Sequence, residues 1–493
     1  MLKNLKKIEI ISIIGILIVY FISRLISINN FPIFTDEAIY LRWAQIAKND
    51  ANWRFISLTD GKQPLFIWLT MISMRFITDP IIAGRFVSVI VGAFTIIGLI
   101  LLGKIIFEKW GVGIIAGLIY TILPFALVYD RMALMDGLLG CAIIWALLFE
   151  IILVKTLRLD IALITGGIVG FGLLTKTSAL FALYLLPFSL LLFDWRKPRR
   201  LRRLTIWVGL ALVVIIISQM MYSILRLSPF FHIIGQKDQT FIYSISQWLT
   251  HPFKNIIGNL NGLINWFTIY LTKPIVITLL VSLLWGKKFI KEKLLLLLWF
   301  IIPFMALALF GFVLYPRFIF FMVIPLLVLI GYVINRLFGI RKLYGILLLV
   351  ILFIMPLIID LTLLVKPTEA QVPRSDSNQY FNDWPSGWGI EESIAFFKEK
   401  SKNNKIAIYT EGTFGLLPAA IELYLADNPN IYIRGIWPVP NKLPNEIVKM
   451  VSNRPTYIIF FQNPPPPAWS LEKVLEIQKG KSKRFNTVYQ IKP

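Results

Sequence analysis

The chain consists largely of long apolar runs separated by short basic stretches. Several runs exceed the roughly 18–20 residues that a helix needs to cross a bilayer. Hydrophobic residues make up 57% of the 493-residue sequence, and its mean hydropathy is +0.73. A soluble protein of this length could not cover so much apolar surface. The sequence therefore predicts a polytopic α-helical membrane protein.

The apolar runs predict about eleven transmembrane helices. Ile8–Ile28 is interpreted as the first span, because it is long for the apolar part of a signal peptide and no small-X-small cleavage site follows it. A cleaved signal peptide is the alternative. Thr175–Ser178 interrupts the apolar run at 160–193, so that region is either two spans or one long helix with a re-entrant segment. The other spans are expected near 82–103, 112–129, 134–154, 204–225, 272–286, 294–314, 318–335 and 343–365.

The net charge of +23 is concentrated between the apolar runs. In this setting it indicates loops anchored on the cytoplasmic side rather than a nucleic-acid partner. The N-terminus is then cytoplasmic, and an odd number of spans places the C-terminal part outside. The basic residues of the loops assigned to the inside are Lys104, Lys109, Lys155, Arg158, Arg196, Lys197, Arg199, Arg200, Arg202, Arg203, Lys287, Lys288, Lys291, Lys293, Arg336, Arg341 and Lys342.

The composition changes after Val365, where charged residues, Gly and Pro reach the density of a globular domain. Predicted helices and strands alternate there, which indicates a small α/β domain. The chain is therefore divided into a transmembrane domain, 1–365, and an extracytoplasmic domain, 366–493. The first contains outer loops at 29–80 and 227–271. Expected elements are surface helices Asp36–Asn49 and Leu65–Ile77, C-terminal helices Ile390–Ser401 and Leu416–Leu425, and strands Lys405–Thr410, Ile431–Ile436 and Thr456–Phe461.

Ionisable residues recur in the segments assigned to the outer face. Each has a structural interpretation: a carboxylate can cap a helix, an arginine can extend toward the interface, and a lysine can mark a helix end. Topology nevertheless places them on one face, so a converged site is expected. Lysine and arginine suit a phosphate leaving group, and a carboxylate can deprotonate an acceptor hydroxyl. The candidates are Asp36, Glu37, Lys62, Asp130, Arg131, Asp136, Lys176 and Arg317.

Six short segments stand out in the sequence: Asp36-Glu37, Lys62–Leu69, Gly84–Ser88, Asp130–Asp136, Leu173–Lys176 and Tyr315–Phe318. Taken in order, they resemble the GT-C glycosyltransferases, specifically the group of protein O-mannosyltransferases and lipid A aminoarabinose transferases. The resemblance covers roughly residues 1–340. Departures are Gln63, where relatives often have a second proline, a C-terminal domain that is not a β-trefoil, and no Trp-Trp-Asp motif.

The resemblance implies a polyprenyl-phosphate sugar donor, an extracytoplasmic active site and inversion at the anomeric carbon. It implies that Asp36 is the general base, with Glu37 beside it and Asp136 as the second acidic residue. The lipid phosphate would be held by Lys62, Arg131, Lys176 and Arg317, and the remaining candidates for substrate binding are Arg85 and Tyr40. The acceptor is a lipid, a glycan or a protein.

Three points stay open in the sequence. A transporter or lipid flippase without transferase activity is the main alternative, although such proteins usually place charges near the membrane midplane and show repeats. A non-catalytic anchor for the C-terminal domain is a second alternative. The third open point is a divalent metal bridged by Asp36 and Asp136, because two carboxylates a hundred positions apart do not demonstrate a shared site. The two histidines exclude a His-rich metal cluster.

Overall fold

The computed structural model describes residues 5–286 and 288–493. Residues 1–4 of the basic N-terminal stretch, and Lys287 in one predicted cytoplasmic loop, lie outside the described residues. The chain is mostly helical up to residue 365, and a five-stranded sheet with flanking helices occupies its C-terminal part.

Within the described residues, seven helices are long and apolar enough to cross a membrane. Two bent helix pairs raise the number of candidate spans to nine. The first pair bends by 67° before Pro124, whose ring removes one backbone hydrogen bond. The second pair bends by 104° at Thr272. One of the seven, Pro316–Ile340, comprises α16 (Phe320–Val323) and α17 (Leu327–Ile340). The other helices are α1 (Lys7–Leu25), α4 (Pro80–Phe107), α5 (Trp110–Ile122), α6 (Pro124–Arg131), α7 (Met135–Thr156), α10 (Arg200–Ser223), α13 (Ile256–Leu271), α14 (Lys273–Leu284), α15 (Ile290–Phe310) and α18 (Lys342–Val365).

Shorter helices cover the expected outer loop at 29–80, the first half of the one at 227–271, and the interrupted region. The second half of the loop expected at 227–271 is instead the apolar helix α13, which belongs to the second bent pair. The amphipathic segment predicted at Asp36–Asn49 is a helix that begins one residue earlier, where the Glu37 side chain accepts a hydrogen bond from the Phe34 amide. The segment at 160–193 is two short helices separated by a turn, which is why fewer than eleven full spans are present. The short helices are α2 (Thr35–Asn49), α3 (Leu65–Ser73), α8 (Leu159–Leu173), α9 (Leu180–Leu185), α11 (Ile233–Asp238) and α12 (Ile245–Thr250).

The C-terminal sheet has the strand order β2-β1-β3-β5-β4. β1 is parallel to both β2 and β3, whereas β5 is antiparallel to β3 and to β4. Its elements are α19 (Arg374–Asp376), α20 (Ile390–Lys400), β1 (Ile406–Glu411), α21 (Leu416–Leu425), β2 (Ile431–Ile436), α22 (Asn445–Asn453), β3 (Thr456–Phe460), β4 (Leu471–Gln478) and β5 (Phe485–Ile491).

Helix α2 connects the C-terminal sheet to the spanning helices. Its outer side packs against α21, where Arg42 Nε lies 3.1 Å from a carboxylate oxygen of Glu422. Its other side packs against α3 and α4. The surface helix predicted from the sequence is therefore enclosed between two parts of the protein.

Candidate active site

Asp36 lies in the first turn of α2 and forms an ion pair with Arg317. Arg317 Nη1 donates to Asp36 Oδ2 at 2.7 Å, although 281 positions separate the two residues. Burial alone would raise the pKa of Asp36, but the charges of Arg317 and Lys62 outweigh that effect and lower the pKa below its ordinary value. The side chain is 21% exposed, so an ionised carboxylate is accessible to a substrate.

Residues 384–386, here called the strap, fix the start of α2. The amide and the hydroxyl of Thr35 both donate to the Pro385 carbonyl, at 3.2 and 3.0 Å, and Phe34 forms an antiparallel bridge with Ser386. The buried Lys479 side chain, from the turn between β4 and β5, donates to the carbonyls of Trp384 and Ser386. The position of Asp36 is thus set jointly by the membrane part and the C-terminal part.

A second ion pair joins Lys176 to Asp136. Lys176 Nζ donates to Asp136 Oδ1 at 2.7 Å and lies 4.9 Å from the ring centre of Phe318. Because Phe318 directly follows Arg317 in the chain, the Lys176–Asp136 pair is next to the Arg317–Asp36 pair in space. The remaining predicted lysine, Lys62, lies 5.5 Å from the ring centre of Phe241.

Two cavities meet at these charged residues. The first, of about 600 Å³, is lined mostly by apolar residues of helices and is here called the apolar cavity. It includes Tyr40, Asp136 and Lys176. The second, of about 490 Å³, includes Asp36 and loops at the strand ends, and is here called the sheet cavity. Both cavities are lined by Lys62, Lys237, Phe241 and Arg317.

Tyr40 is one helical turn after Asp36 and faces the apolar cavity. Burial, and then the negative charge of Asp36, raise the pKa of its phenol well above the ordinary value. The hydroxyl is therefore neutral at physiological pH and can donate a hydrogen bond into the cavity.

Comparisons with known proteins identify the fold in which this site lies. The sequence model of the family described as dolichyl-phosphate-mannose-protein mannosyltransferases matches residues 61–222. The structure of ArnT from Cupriavidus metallidurans bound to undecaprenyl phosphate superimposes with a TM-score of 0.58, at 15% identity, over 98% of this chain and 97% of that one. The chain has the GT-C glycosyltransferase fold. The predicted fold class and the predicted resemblance are thereby confirmed.

A more distant structure has the same GT-C fold. The archaeal oligosaccharyltransferase AglB from Archaeoglobus fulgidus, in complex with an inhibitory peptide and a dolichol-phosphate, gives a TM-score of 0.53 at 12% identity. The match covers 85% of this chain and 63% of AglB. No protein with a curated description matches the sequence. The matched family segment and both neighbours support the predicted glycosyltransferase class.

Glu37 and Arg85 form a fully buried pair in this GT-C structure and line neither cavity. Arg85 donates through Nε and Nη2 to the two oxygens of Glu37, both at 2.9 Å. The carboxylate also accepts from the amides of Phe34 and Ala133. The structure therefore places these two candidates away from both cavities, where they fix the start of α2 against α4.

Arg131 is also placed away from both cavities, although the sequence predicted that it holds phosphate. Its guanidinium is buried and donates to the carbonyls of Ser23, Arg24, Ile26 and Ser27 at 2.6–3.0 Å. These carbonyls lie at the C-terminal end of α1, where orphan carbonyls attract a cation. Arg131 thus caps α1 instead of facing the site.

The sequence did not single out several residues that line the cavities. Lys237, in an expected outer loop, pairs with Asp60 at 2.7 Å and borders both cavities. Trp384 and Trp437 come from the C-terminal part. The sequence signal for these residues was the presence of aromatic and charged side chains in long loops. Nothing in the sequence indicated which strand ends face Asp36.

The donor groups of the site do not fit the suggested metal. Asp36 and Asp136 each have a cationic side chain as partner. Among residues 5–286 and 288–493, no three His, Cys, Asp or Glu side chains are grouped as metal ligands are. The mechanism below therefore takes no step through a metal ion.

Replacing Glu37 with Gln is expected to destabilise the protein. The change removes one charge of a buried pair and leaves Arg85 without its counter-ion, which typically costs about 3–5 kcal/mol. We expect a lower midpoint of thermal unfolding in detergent, while Glu446→Gln, in an exposed pair with Arg434, should leave the midpoint unchanged. An unchanged midpoint with lost transfer activity would instead indicate that Glu37 acts in catalysis.

Proposed function

We propose that this protein moves a sugar from a polyprenyl-phosphate donor to an acceptor outside the cytoplasm, with inversion, and that Asp36 is the general base. The observation that carries the proposal is the position of Asp36. It lines the sheet cavity beside the three cations that this cavity shares with the apolar cavity, Lys62, Lys237 and Arg317.

The apolar cavity fits a lipid-linked phosphate. Its walls include Leu180, Phe181 and Phe310, which suit a prenyl chain, and its charged end carries Lys62, Lys176 and Arg317. Lysine and arginine bind phosphate oxygens through charge-assisted hydrogen bonds. ArnT and AglB were solved with undecaprenyl phosphate and dolichol-phosphate, which supports the same class of donor here.

The reaction is a single displacement. The acceptor hydroxyl oxygen forms a bond to the anomeric carbon, and the bond between that carbon and the phosphate oxygen breaks. The phosphate leaves with the electron pair and is stabilised by the cations of the apolar cavity. The hydroxyl proton goes to Asp36, whose lowered pKa keeps it ionised and ready to accept a proton.

The membrane orientation is part of the proposal. The structure supports a multi-pass membrane protein. The distribution of basic residues supports a cytoplasmic N-terminus and a site on the outer face. Labelling of single cysteines introduced at Lys197 and Trp437, with a membrane-impermeant reagent on intact cells, should modify only the Trp437→Cys variant.

The proposal is tested by transfer from defined donors. Proteoliposomes containing the protein are supplied with radiolabelled mannosyl, glucosyl, galactosyl and aminoarabinosyl polyprenyl phosphates and with lipid, glycan and peptide acceptors. Release of polyprenyl phosphate is measured together with labelled product. We expect consumption of at least one donor and none of the matching nucleotide sugars. A folded protein that consumes no donor would overturn the proposal and favour a transporter or flippase.

The affinity for the donor is expected to fall at alkaline pH because of Lys62. Burial lowers the pKa of Lys62 to about 8, so the free enzyme loses this positive charge as the pH rises through that value. Loss of one charged phosphate contact should lower kcat/KM for the donor roughly ten- to hundredfold. The measurement is the pH profile of kcat/KM, which reports the free enzyme.

The matched variants for this pH profile are Lys62→Arg and Lys254→Arg. Arginine stays charged throughout the range, so the alkaline decline should disappear in Lys62→Arg. Lys254 is exposed and lines neither cavity, so its variant should keep the decline. A decline that persists in Lys62→Arg would assign it to another group.

A further inference from the structure

The carboxyl ends of three parallel strands face the cavity that contains Asp36. β1, β2 and β3 end at Glu411, Ile436 and Phe460, and the residues that follow each strand line the sheet cavity. In open α/β sheets, ligands bind outside the carboxyl ends of the strands, at the point where the strand order reverses. The order β2-β1-β3 places that point between β1 and β3.

Glu411 holds the loops after β1 and β3 together. Its carboxylate accepts hydrogen bonds from the amides of Phe461, Gln462 and Asn463 at 2.8–3.0 Å, and from Asn463 Nδ2 at 2.6 Å. Four donors satisfy both carboxylate oxygens. The charge of Glu411 is therefore satisfied by hydrogen bonds within the protein, and these bonds fix the shape of the crevice between β1 and β3.

The sheet contributes aromatic faces and neutral polar groups to the cavity. Phe414 and Trp437 are 57% and 59% exposed, and both line the sheet cavity. The neutral polar groups are Thr413 and Gln462. Glu411 is the one charged residue among the lining residues that the sheet contributes, and its carboxylate is satisfied.

This chemistry matches a neutral sugar ring. A pyranose presents one face of C–H groups that packs on an aromatic ring, while its hydroxyls point outward to amide, hydroxyl and carboxylate groups. A phosphorylated or acidic acceptor would require free cations beside the sheet. The cations of this cavity, Lys62, Lys237 and Arg317, come from the membrane part, and Lys237 and Arg317 are already paired with carboxylates. A long acyl chain would require a continuous apolar wall, and Thr413, Gln462, Asp60 and Lys237 interrupt the wall of this cavity.

We infer that the sheet cavity binds the acceptor, and that the acceptor is a neutral carbohydrate whose ring packs on Phe414 and Trp437. The inference rests on the proposed function and names its acceptor class. A sugar held there lies beside Asp36 and next to the cations that the two cavities share. Inversion requires that its hydroxyl attack the anomeric carbon from the side opposite the phosphate. Its hydroxyl oxygen bonds to the anomeric carbon, the phosphate leaves with its electron pair, and Asp36 takes the proton.

The experiment compares acceptors and two tryptophan variants in the proteoliposome assay. The acceptors are neutral mannose, glucose and galactose oligosaccharides, an unglycosylated Ser/Thr peptide, and a phosphorylated glycolipid. We expect transfer to at least one oligosaccharide. In Trp437→Ala, KM for that oligosaccharide should rise about tenfold, the effect of one well-packed aromatic contact, with KM for the donor unchanged. Trp53→Ala, which changes a 43% exposed tryptophan lining neither cavity, should have no effect.

A binding measurement separates this inference from the proposed function. Saturation-transfer NMR detects oligosaccharide binding without turnover, and the signal should weaken in Trp437→Ala but not in Trp53→Ala. Donor hydrolysis by water with no oligosaccharide transfer or binding would overturn the carbohydrate acceptor and leave the transferase proposal standing. Oligosaccharide binding without use of any donor would overturn the transferase proposal and the acceptor role, and would leave the sheet cavity as a carbohydrate-binding site. Transfer only to the peptide or the phosphorylated glycolipid would replace the acceptor class.

Discussion

The Asp36→Asn variant is expected to lower kcat by about 10²–10⁴, the usual contribution of a general base. The asparagine carbonyl can still accept the hydrogen bond from Arg317 Nη1 that the carboxylate accepts at 2.7 Å, so the pocket should keep its shape. What the variant loses is a group that can take the hydroxyl proton. KM for the donor and the midpoint of thermal unfolding should therefore change little, which distinguishes this variant from Glu37→Gln.

Asp160→Asn is the matched control for this measurement. Asp160 pairs with Arg158 on an exposed surface, and such pairs contribute little to stability. The same chemical change there should leave kcat at the wild-type value. Full transfer by Asp36→Asn would remove Asp36 from the mechanism, and Asp136, the carboxylate beside Lys176, would then be the base to test.

Replacing Arg317 with Gln should produce the second large effect. Arg317 lines both cavities, and its removal takes away one group that stabilises the departing phosphate, which typically costs about 10²–10³ in rate. It also removes a positive charge that lowers the pKa of Asp36. The pKa of the carboxylate should rise, so the acidic limb of the kcat/KM profile should move to higher pH.

Two comparison variants make the Arg317 result specific. Arg317→Lys keeps the charge but not the planar fork of donors, so the acidic limb should return toward its wild-type position while the rate recovers only in part. Arg75→Gln changes an exposed arginine that lines neither cavity and should have no effect. An Arg317→Gln enzyme with an unshifted acidic limb would show that Asp36 does not control that limb.

The convergence of one group of charged residues could be predicted from the sequence because topology constrains it. Asp36, Lys62, Asp136, Lys176 and Arg317 come from segments that the charge distribution places on one side of the membrane. Residues at one end of a helix bundle are confined to a small volume, so their convergence is expected even without knowledge of individual contacts. The cavities that contain these five residues agree with that expectation.

The roles of Glu37, Arg85 and Arg131 were not accessible in the same way. Adjacent residues on a helix point about 100° apart, so only one of Asp36 and Glu37 can face the cavity. The sequence does not indicate which residue pairs with the carboxylate that faces away. Arg85 is 48 positions from Glu37. Whether an arginine meets a buried carboxylate, a helix end or a substrate depends on packing between distant segments.

The C-terminal sheet was predicted only in part. The strands of the parallel half are apolar and were identified within one or two residues. The antiparallel half, β4 and β5, was missed because Leu471–Gln478 mixes charged and apolar residues on a half-exposed surface, a weak signal for a strand. The turn between these two strands carries Lys479, so the connection from the sheet to α2 could not be anticipated. The predicted boundary between domains at residue 365 stays a prediction.

The strap restricts how a protein of this design can change its specificity. Thr35 donates a hydrogen bond to the carbonyl of Pro385, which is 350 positions away in the sequence. Lys479, in the turn between β4 and β5, donates to two carbonyls of the strap and fixes its position. A foreign sheet grafted after the last spanning helix would leave the start of α2 without the hydrogen bonds that the strap provides, even if the graft folded well. The two halves are therefore not interchangeable modules. New acceptors are more readily reached by altering the short loops after β1, β2 and β3, which border the reaction centre without supporting it.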